Sequence, residues 1–453
     1  IQNGILFSDS KKQLFSIVRK QKVNQEALQQ YLSFQYVTNP LTMSKDIKCV
    51  SAGNYLVVTN EIKLALTEYF KRTFRPAISE KNYFIKRIRE ALYDSVSRMM
   101  NDRESIGTLL SGGIDSTLIT ALAKEINPNL KTFSVGFEYD GYSEIDLAKK
   151  SADLLGLENI SIKISAEQYV EKLPEIIWHL GDPLADPSCV PLYFVTREAK
   201  KHVNSILSGE GADEFFAGYK IYRESKSLQL FNYVPSIFKK SIHKIGSVLP
   251  DGVKGKSFLL RGTTPLEERY IGNAKIFEEQ EKRLILVKYD ESFTYRKVTG
   301  PLYKDVKDDH PVTQMQYIDI HTWLPGNILF KANKIARANS LTLLMPFIDV
   351  NVFQIARELP ESLLLAKRTT KLLLREAAKG IVPDHVLDRD KLGFPVPLSN
   401  WLKNELYDWA KTLIIESETD EYLHKNVVLE MLEFHARSNK NVSRKLWTIL
   451  IFM

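Results

Sequence analysis

Cysteine is scarce in this sequence, and long apolar runs are missing. Only two cysteines occur among 453 residues, Cys49 and Cys189, and their positions suggest neither a disulfide framework nor a zinc site. No apolar run reaches the roughly 18 residues of a membrane-spanning helix, and the first residues do not resemble a signal peptide. These absences favour a cytoplasmic protein with no membrane partner. Because the chain starts at Ile1, we expect further residues ahead of it.

The composition is that of an ordinary globular chain, without internal repeats or low-complexity segments. Apolar residues make up 44% and charged residues 26% of the sequence, and the length allows two or three domains. The net charge of +7 comes from basic residues that are scattered along the chain. This charge suits ATP, pyrophosphate or acidic substrates, and it leaves a nucleic-acid partner open.

A glycine turn between an apolar strand and an apolar helix is the most informative stretch. Residues 106–110 are predicted to form the strand and residues 116–125 the helix. Between them, Gly112 and Gly113 allow a turn whose N–H groups converge on one point. Ser111 and Ser116 supply hydroxyl donors, and Asp115 can hold Mg²⁺ against phosphate oxygens. The pattern S-G-G-x-D-S therefore predicts a pyrophosphate cradle, and it lacks the lysine spacing of a Walker A loop.

Strands and helices alternate beyond this turn, which predicts an α/β fold with a parallel sheet and helices on both faces. The predicted strands are residues 106–110, 131–137, 159–164 and 204–207, and the predicted helices are 116–125, 143–155 and a set between 166 and 202. Ligands of such sheets bind beyond the carboxyl ends of the strands. After about residue 215 the pattern predicts a mainly helical part, with a lid or an irregular helical insertion at 228–256.

Residues 1–75 are predicted to form a region of their own. Residues 5–8 and 53–58 have the pattern of strands, and residues 25–34 that of a helix. Residues 70–77 have the composition of a linker. A long amphipathic helix is predicted next, from apolar residues at spacings of three and four, namely Phe84, Ile88, Ala91, Leu92, Val96 and Met99.

A second glycine motif, L-S-G-E-G-A-D-E at residues 207–214, ends another predicted strand. Ser208, Gly209 and Gly211 let the backbone approach a nucleotide closely. The carboxylates of Glu210, Asp213 and Glu214 would repel one another without a cation. Acidic residues at a helix N-terminus are also favoured by the helix dipole alone, but a strand that ends directly in this motif favours a binding loop.

A third motif, R-D-K-L-G-F-P-V-P at residues 389–397, contains a lysine next to a stiff loop. Pro395 and Pro397 exclude a helix there and favour extended backbone. Lys391 is therefore expected to stand on a rigid turn, where it could meet a developing negative charge. Taken alone, such a lysine is most often a surface charge, and the inference depends on the two other motifs.

The motifs together resemble the synthetase domain of glutamine-dependent asparagine synthetases. The matching stretches, in order, are L-S-G-G-I-D-S-T, F-S-V-G-F-E, D-P-L-A-D-P-S, L-S-G-E-G-A-D-E, T-K-L-L-L-R and K-L-G-F-P-V-P. The resemblance implies a fold of the PP-loop ATP pyrophosphatase type, which is the adenine nucleotide α-hydrolase-like fold, over residues 76–453. Residues 1–75 resemble the last part of the family's N-terminal nucleophile glutaminase domain, an α+β fold.

The resemblance implies that the enzyme uses ATP and Mg²⁺ to form an acyl-adenylate, which ammonia then converts into an amide. L-Aspartate would be the acceptor, with nitrogen from glutamine in a full-length protein or from free ammonia. Glu210 matches a residue tied to adenylate formation, and Lys391 matches the lysine that stabilises the leaving pyrophosphate. The implied nucleotide contacts are Leu110, Ser111, Gly112, Gly113, Asp115, Ser116, Val135, Phe137, Ser208 and Gly209, and the implied Mg²⁺ ligands are Asp115 and Asp213.

The same resemblance implies an acceptor pocket and small-molecule substrates. Asp182 and Asp186 stand where the family lines that pocket, and Lys371 would face the same cleft one helical turn from Arg375. It implies no nucleic-acid partner, and it leaves a homodimer as one option for the oligomeric state.

The sequence departs from the family pattern in two respects. The catalytic cysteine that begins the glutaminase domain is absent, so the chain as it stands is expected not to hydrolyse glutamine. Thr342 and Leu344 replace an acid and an arginine, which we interpret as a joint loss of a buried ion pair, and Asn327 and Asn333 stand where acids are common.

Three other functions stay open at this point. The same chemistry could amidate a cell-wall peptide or a glycan carboxylate, and the pocket residues would decide between these acceptors and aspartate. A PP-loop enzyme that modifies transfer RNA fits the basic charge, but the sequence contains neither a zinc cluster nor an aromatic-rich basic stripe. A degenerate synthetase acting as a partner protein is disfavoured by the intact Asp115, Glu210, Asp213 and Lys391.

Overall fold

The computed structural model describes residues 5–15, 17, 22–59, 64–78, 80–103, 105–139, 141–250, 253–366, 369–389 and 395–453. Lys391, and with it most of the predicted lysine loop, lies outside the described residues.

The described residues before 76 form two helices and one hairpin. The helix Gln25–Phe34 agrees with the prediction, and Asn24 caps it by accepting a hydrogen bond from the Ala27 N–H. Strand β1 (Asn54–Val58) begins one residue later than predicted and pairs antiparallel with β2 (Leu64–Glu68), which was not predicted. The predicted strand at residues 5–8 is wrong: this stretch has no regular structure, and Phe7 is exposed. A short helix, Lys11–Phe15, follows it.

The long helix Lys81–Met100 carries the apolar face that the sequence predicts. Four of the predicted apolar residues are buried in the core, namely Phe84, Ile88, Leu92 and Val96. Met99 is only partly buried, and Met100 is the buried residue at the end of this apolar face. The preceding segment 70–77 is extended, as expected of a linker, and is held by N–H groups at 75 and 77 that donate to the carbonyls at 357 and 358.

Five parallel strands form the central sheet in the order β5-β4-β3-β6-β7, which confirms the predicted fold class. Their bounds are Ile106–Leu109 (β3), Lys131–Phe137 (β4), Asn159–Ile164 (β5), Ser205–Leu207 (β6) and Thr342–Leu344 (β7). The connecting helices are Ile114–Ile126, Ile145–Leu154, Ala166–Glu171, Leu173–Leu180 and Cys189–Lys200. Strands β3 and β6 are neighbours, with Thr108 opposite Leu207, although almost one hundred residues separate them. Their carboxyl ends therefore lie side by side.

The edge strand β7 is not among the strands that the sequence predicts. It has only three residues, lies within the helical half of the chain, and pairs with β6 from Ser205 opposite Thr342 to Leu207 opposite Leu344. The carbonyl of Leu344 accepts a hydrogen bond from the Ser208 N–H at 2.9 Å. This strand thus fixes the first residue of the second glycine loop.

The rest of the chain is mainly helical, as predicted. The longer helices are Ser236–Val248, Lys256–Thr263, Glu279–Ile285, Arg296–Asp305, Pro311–His321, Leu329–Ala338, Val350–Ala356, Leu372–Ala378, Tyr407–Glu416, Lys425–Arg437 and Ser443–Phe452. A π-helical turn, Leu324–Ile328, precedes the helix Leu329–Ala338. Within the described ranges, no helix combines the length and the apolar character that crossing a bilayer requires.

A buried carboxyl group, that of Asp319, lies in this helical part. It accepts hydrogen bonds from the hydroxyls of Tyr222 and Tyr270 and from the Asn273 N–H. Burial raises the pKa of Asp319 to about 7, although the three hydrogen bonds act in the opposite direction. The folded protein thus holds a proton there over a pH range in which the unfolded chain, with a pKa of about 3.9, releases it.

We expect Asp319→Asn to make the stability less dependent on pH. A raised pKa in the folded state stabilises fully below the unfolded pKa, and this contribution is lost as the pH rises through about 7. Between pH 5 and pH 8 the melting temperature of the wild type should therefore fall further than that of the variant, whose amide does not titrate. Parallel melting curves across this range would contradict the assignment.

Candidate active site

A cavity of about 410 Å³ lies at the carboxyl ends of β3, β4 and β6. Most of the predicted site residues line it, namely Leu110, Ser111, Gly113, Asp115, Ser116, Val135, Asp186, Ser208, Gly209, Glu210, Asp213 and Lys371. The two glycine loops supply part of the lining, and strand β4 together with helices from both halves of the chain supplies the rest. The position agrees with the general rule for parallel sheets.

The loop after β3 joins its strand directly to the helix Ile114–Ile126. Gly112 has φ +73°, in the left-handed region, and a Cβ there would lie 3.0 Å from Leu147. The Ser116 hydroxyl accepts a hydrogen bond from the Ser111 N–H and donates one to the Gly113 carbonyl, each at 3.2 Å. Gly112 itself does not line the cavity. Its part is thus to let the backbone turn while Ser111 and Gly113 face the open space.

The loop after β6 contacts the first loop through backbone atoms. A Cβ on Gly209 would lie 2.9 Å from the Ser116 nitrogen and 3.0 Å from the Asp115 carbonyl carbon, so no larger residue fits without separating the two loops. Gly211 has φ +91° and precedes the short helix Ala212–Phe215. The two glycine loops therefore form one wall, with helix N-terminal N–H groups on both sides.

Asp115 and Asp213 share one cation across this wall. The Lys371 ammonium lies 2.5 Å from Asp115 Oδ2 and 2.6 Å from Asp213 Oδ1. Burial alone would lower the pKa of Lys371, but the two carboxylates outweigh it and the pKa is raised. Lys371 thus stays charged inside the cavity wall.

These residues fit a magnesium ion. Two carboxylates that already hold one cation between them have the hard oxygen donors that Mg²⁺ prefers, and Mg²⁺ is usually held by one or two carboxylates together with substrate phosphates. The described part of the chain contains no group of three or more His, Cys, Asp or Glu side chains that could hold a metal ion. The donor set is therefore suited to a metal that arrives with a nucleotide.

A second ion pair lines the same cavity. The Lys331 ammonium lies 2.6 Å from Asp186 Oδ2 and donates a hydrogen bond of 2.8 Å to the Ser188 hydroxyl. Burial would raise the pKa of Asp186, but Lys331 and Ser188 outweigh it and lower the pKa to about 2. Burial would lower the pKa of Lys331, but the charges of Asp186 and Glu210 outweigh it and the pKa is raised. Glu210 and this pair therefore belong to one charged surface.

Lys331 was not recognised as a site residue from the sequence. It lies in the helix Leu329–Ala338, four residues before the buried Ile335, and it is itself only 6% exposed. A lysine on the apolar face of an amphipathic helix was the available signal. Its partner Asp186 is 145 residues away along the chain, so no local pattern connects them.

Two predicted site residues lie elsewhere. Asp182 forms an ion pair of 2.5 Å with Lys11 and accepts a 2.8 Å hydrogen bond from the Met43 N–H, so its side chain contacts the N-terminal region. Phe137 is buried in the core against the rings of Tyr169 and Trp401. Neither residue lines this cavity, so Asp182 and Phe137 do not lie where the family resemblance implies.

The segment before Lys391 is anchored to the first glycine loop. The Arg389 guanidinium donates to the Gly112 carbonyl at 3.2 Å and to Glu144 Oε1 at 2.6 Å. The Arg389 carbonyl in turn accepts a hydrogen bond from Arg375 at 3.0 Å. Arg375, Arg389 and Glu144 all line the cavity. The chain thus reaches the edge of the cavity two residues before Lys391.

The departures from the family pattern lie in different surroundings. Thr342 is exposed and Leu344 is half-buried, so the interpretation of a lost buried ion pair is wrong: the position of Thr342 is at the outer edge of the sheet, where a charge pair contributes little. Asn333 is exposed, and its amide donates to the Leu329 carbonyl at 3.0 Å. Asn327 is fully buried in the π-helical turn and is not part of the cavity lining.

The sequence matches a model of the asparagine synthase family over residues 87–453, which includes every described loop of this cavity. The chain belongs to that family. Asparagine synthetase [glutamine-hydrolyzing] 1 of Bacillus subtilis (strain 168) is 49% identical over 453 residues, which are 100% of this chain and 72% of that protein. The putative asparagine synthetase [glutamine-hydrolyzing] of Mycobacterium tuberculosis (strain ATCC 25618 / H37Rv) is 43% identical over 459 residues, covering 99% of this chain and 70% of the relative.

Among solved structures, NMN synthetase from Francisella tularensis matches with a TM-score of 0.25 and 15% identity, covering 59% of this chain and 98% of that one.

Membership of the asparagine synthase family confirms the resemblance of the sequence motifs. It makes the chain a ligase that forms carbon–nitrogen bonds, uses ATP and acts on small molecules.

Proposed function

We propose that the chain converts L-aspartate to L-asparagine through an aspartyl-adenylate, with release of AMP and pyrophosphate. The observation that supports this most strongly is the single wall formed by the two glycine loops. In this wall the carboxylates of Asp115 and Asp213 both pair with the ammonium of Lys371. Such a wall would suit a triphosphate that arrives together with a metal ion. The ion pair of Asp186 and Lys331 faces the same cavity and offers charges for a zwitterionic acceptor.

In this proposal the first glycine loop holds the phosphates. The N–H groups at the start of the helix Ile114–Ile126 and the hydroxyls of Ser111 and Ser116 donate to phosphate oxygens. The backbone at Ser208 and Gly209 contacts the nucleotide, and Leu110 and Val135 line the space for its base. Asp115 and Asp213 would hold Mg²⁺, which would neutralise charge on the phosphates when bound.

The acceptor carboxylate would attack the α-phosphorus, so that a new P–O bond forms as the bond to pyrophosphate breaks. Lys331 is suited to hold a carboxylate beside the nucleotide, because its ammonium is buried and charged. Ammonia would then attack the acyl carbon and expel AMP, and Glu210 could take the proton that the nitrogen loses. Lys391, two residues beyond the anchored Arg389, would meet the charge that leaves with pyrophosphate.

We further propose that residues 76–453 form the synthetase domain and that residues 1–75 are the last part of a glutaminase domain. The nitrogen would come from glutamine in a full-length protein and from ammonia otherwise. We propose a cytoplasmic location with neither a membrane nor a nucleic-acid partner, and a homodimer is compatible with this function.

Incubation with Mg²⁺, ATP, ammonium and aspartate should yield AMP, pyrophosphate and asparagine in equal amounts. Formation of ADP and phosphate would contradict the adenylate. The acceptor is tested by measuring pyrophosphate release over a panel that contains aspartate, glutamate and peptides with a free side-chain carboxylate. A strong preference for a peptide would replace aspartate as the acceptor and leave the adenylation chemistry standing.

The RNA alternative is tested separately by binding measurements at increasing salt. Tight transfer-RNA binding that weakens steeply with salt would favour a tRNA-modifying enzyme.

A further inference from the structure

Three separate elements bring the Lys371 ammonium between two carboxylates. Asp115 follows β3, Asp213 follows β6, and Lys371 immediately precedes the helix Leu372–Ala378. The lysine is 2% exposed, and its Nζ lies at 2.5 and 2.6 Å from the two aspartates. One buried ammonium is thus the shared counter-charge of both residues that the proposed function assigns to Mg²⁺.

The backbone at Lys371 has an unfavourable conformation in the structure that places its ammonium between Asp115 and Asp213. Its φ of +55° is in the left-handed region, which a lysine rarely adopts. The side chain of Arg375 fixes this backbone, because its Nε donates to the Thr370 carbonyl at 2.9 Å. The lysine is therefore placed by the surrounding fold and not by its own conformational preference.

A glycine leaves the space that the lysine stem occupies. A Cβ at Gly218 would overlap both Asp213 Oδ1 and Lys371 Cε. Gly218 has no left-handed φ, so its lack of a side chain is needed for space and not for conformation. The missing side chain of Gly218 thus leaves the space in which the Lys371 stem lies beside Asp213.

We propose that Lys371 is a resident counter-ion that keeps free Mg²⁺ out of the site until a nucleotide enters. Mg²⁺ binds oxygens at about 2.0–2.1 Å, so it cannot lie between the two aspartates while the ammonium does. An incoming triphosphate supplies anionic oxygens for both cations, and the flexible four-carbon stem lets Nζ move to the phosphates while the backbone stays in place. Metal and nucleotide therefore bind together.

This inference rests on the proposed assignment of Asp115 and Asp213 as metal ligands, but its test does not need turnover. Mn²⁺ can replace Mg²⁺ as a spectroscopic probe, and the free ion is counted by its electron paramagnetic resonance signal. Nucleotide-free wild type should bind Mn²⁺ weakly. Lys371→Met, which keeps the length of the stem and removes the charge, should bind Mn²⁺ about tenfold more tightly or better, because two carboxylates lose their counter-charge.

A matched control is Lys282→Met, which removes another fully buried lysine. Lys282 lies in the helix Glu279–Ile285, pairs with Glu279 at 2.8 Å and is not part of the cavity lining, so the Mn²⁺ affinity should equal that of the wild type.

Equal Mn²⁺ affinity in wild type and Lys371→Met would overturn the proposal, as would tight Mn²⁺ binding by the nucleotide-free wild type. Tighter Mn²⁺ binding in Lys371→Met, together with no pyrophosphate release by the wild type, would support the counter-ion and reject the proposed reaction. The two failures are therefore distinguishable.

Discussion

Asp115→Asn is expected to lower the rate of pyrophosphate release by about 10²- to 10³-fold. The substitution keeps the shape of the side chain and removes the charge that lies 2.5 Å from Lys371 Nζ. In the proposed reaction it also removes one of two carboxylates for Mg²⁺, so charge on the phosphates would be less well neutralised in the transition state. Because Asp213 still pairs with Lys371, the variant should fold. The measurement is a coupled pyrophosphate assay with ATP, Mg²⁺, aspartate and ammonium.

The control for this prediction is Asp146→Asn. Asp146 lies in the helix Ile145–Leu154, whose first turn is next to the cavity, but its side chain is exposed. We expect the control to retain the wild-type rate within about twofold, since exposed charges contribute little. If Asp115→Asn were as active as this control, Asp115 would not act in the reaction.

Gly209→Ala should lower kcat/KM for ATP by roughly 10²-fold, because a displacement of about 1 Å in an active site can have an effect of that size. The added methyl group would lie 2.9 Å from the Ser116 nitrogen and 3.0 Å from the Asp115 carbonyl carbon. Both are backbone atoms that cannot rotate away. The two glycine loops would have to separate, and the phosphate and metal contacts would no longer fit one nucleotide.

Gly300→Ala is the matched glycine control. Gly300 lies in the helix Arg296–Asp305, outside the cavity lining, and a Cβ there would meet no atom within 4 Å beyond its chain neighbours and the backbone of its own helix. Because Pro301 follows and disfavours a Cβ on the preceding helical residue, we expect some loss of stability but an unchanged kcat/KM for ATP. Nucleotide affinity measured by calorimetry would separate the two cases. An unchanged ATP affinity in Gly209→Ala would show that close contact of the loops is not required.

Local chemistry was sufficient to predict the bounds of some elements. Strand β4 (Lys131–Phe137) and the helix Gln25–Phe34 have the predicted bounds, because apolar periodicity and capping act over a few neighbouring residues. Residues 5–8 have similar apolar character, but no described strand pairs with them. Strand β7 has little strand character of its own and is a strand because β6 lies beside it. Strand formation therefore depended on partners that only the fold supplies.

By itself the sequence determined the two glycine loops, their strands and the family to which they belong, since glycine turns, apolar runs and loop motifs are formed by consecutive residues. Only the tertiary structure decided which charged side chains form ion pairs. It paired Asp186 with Lys331 and turned Asp182 toward Lys11, and it placed Lys371 between Asp115 and Asp213. The physical reason is that an ion pair depends on distance in space, and these partners are more than a hundred residues apart along the chain.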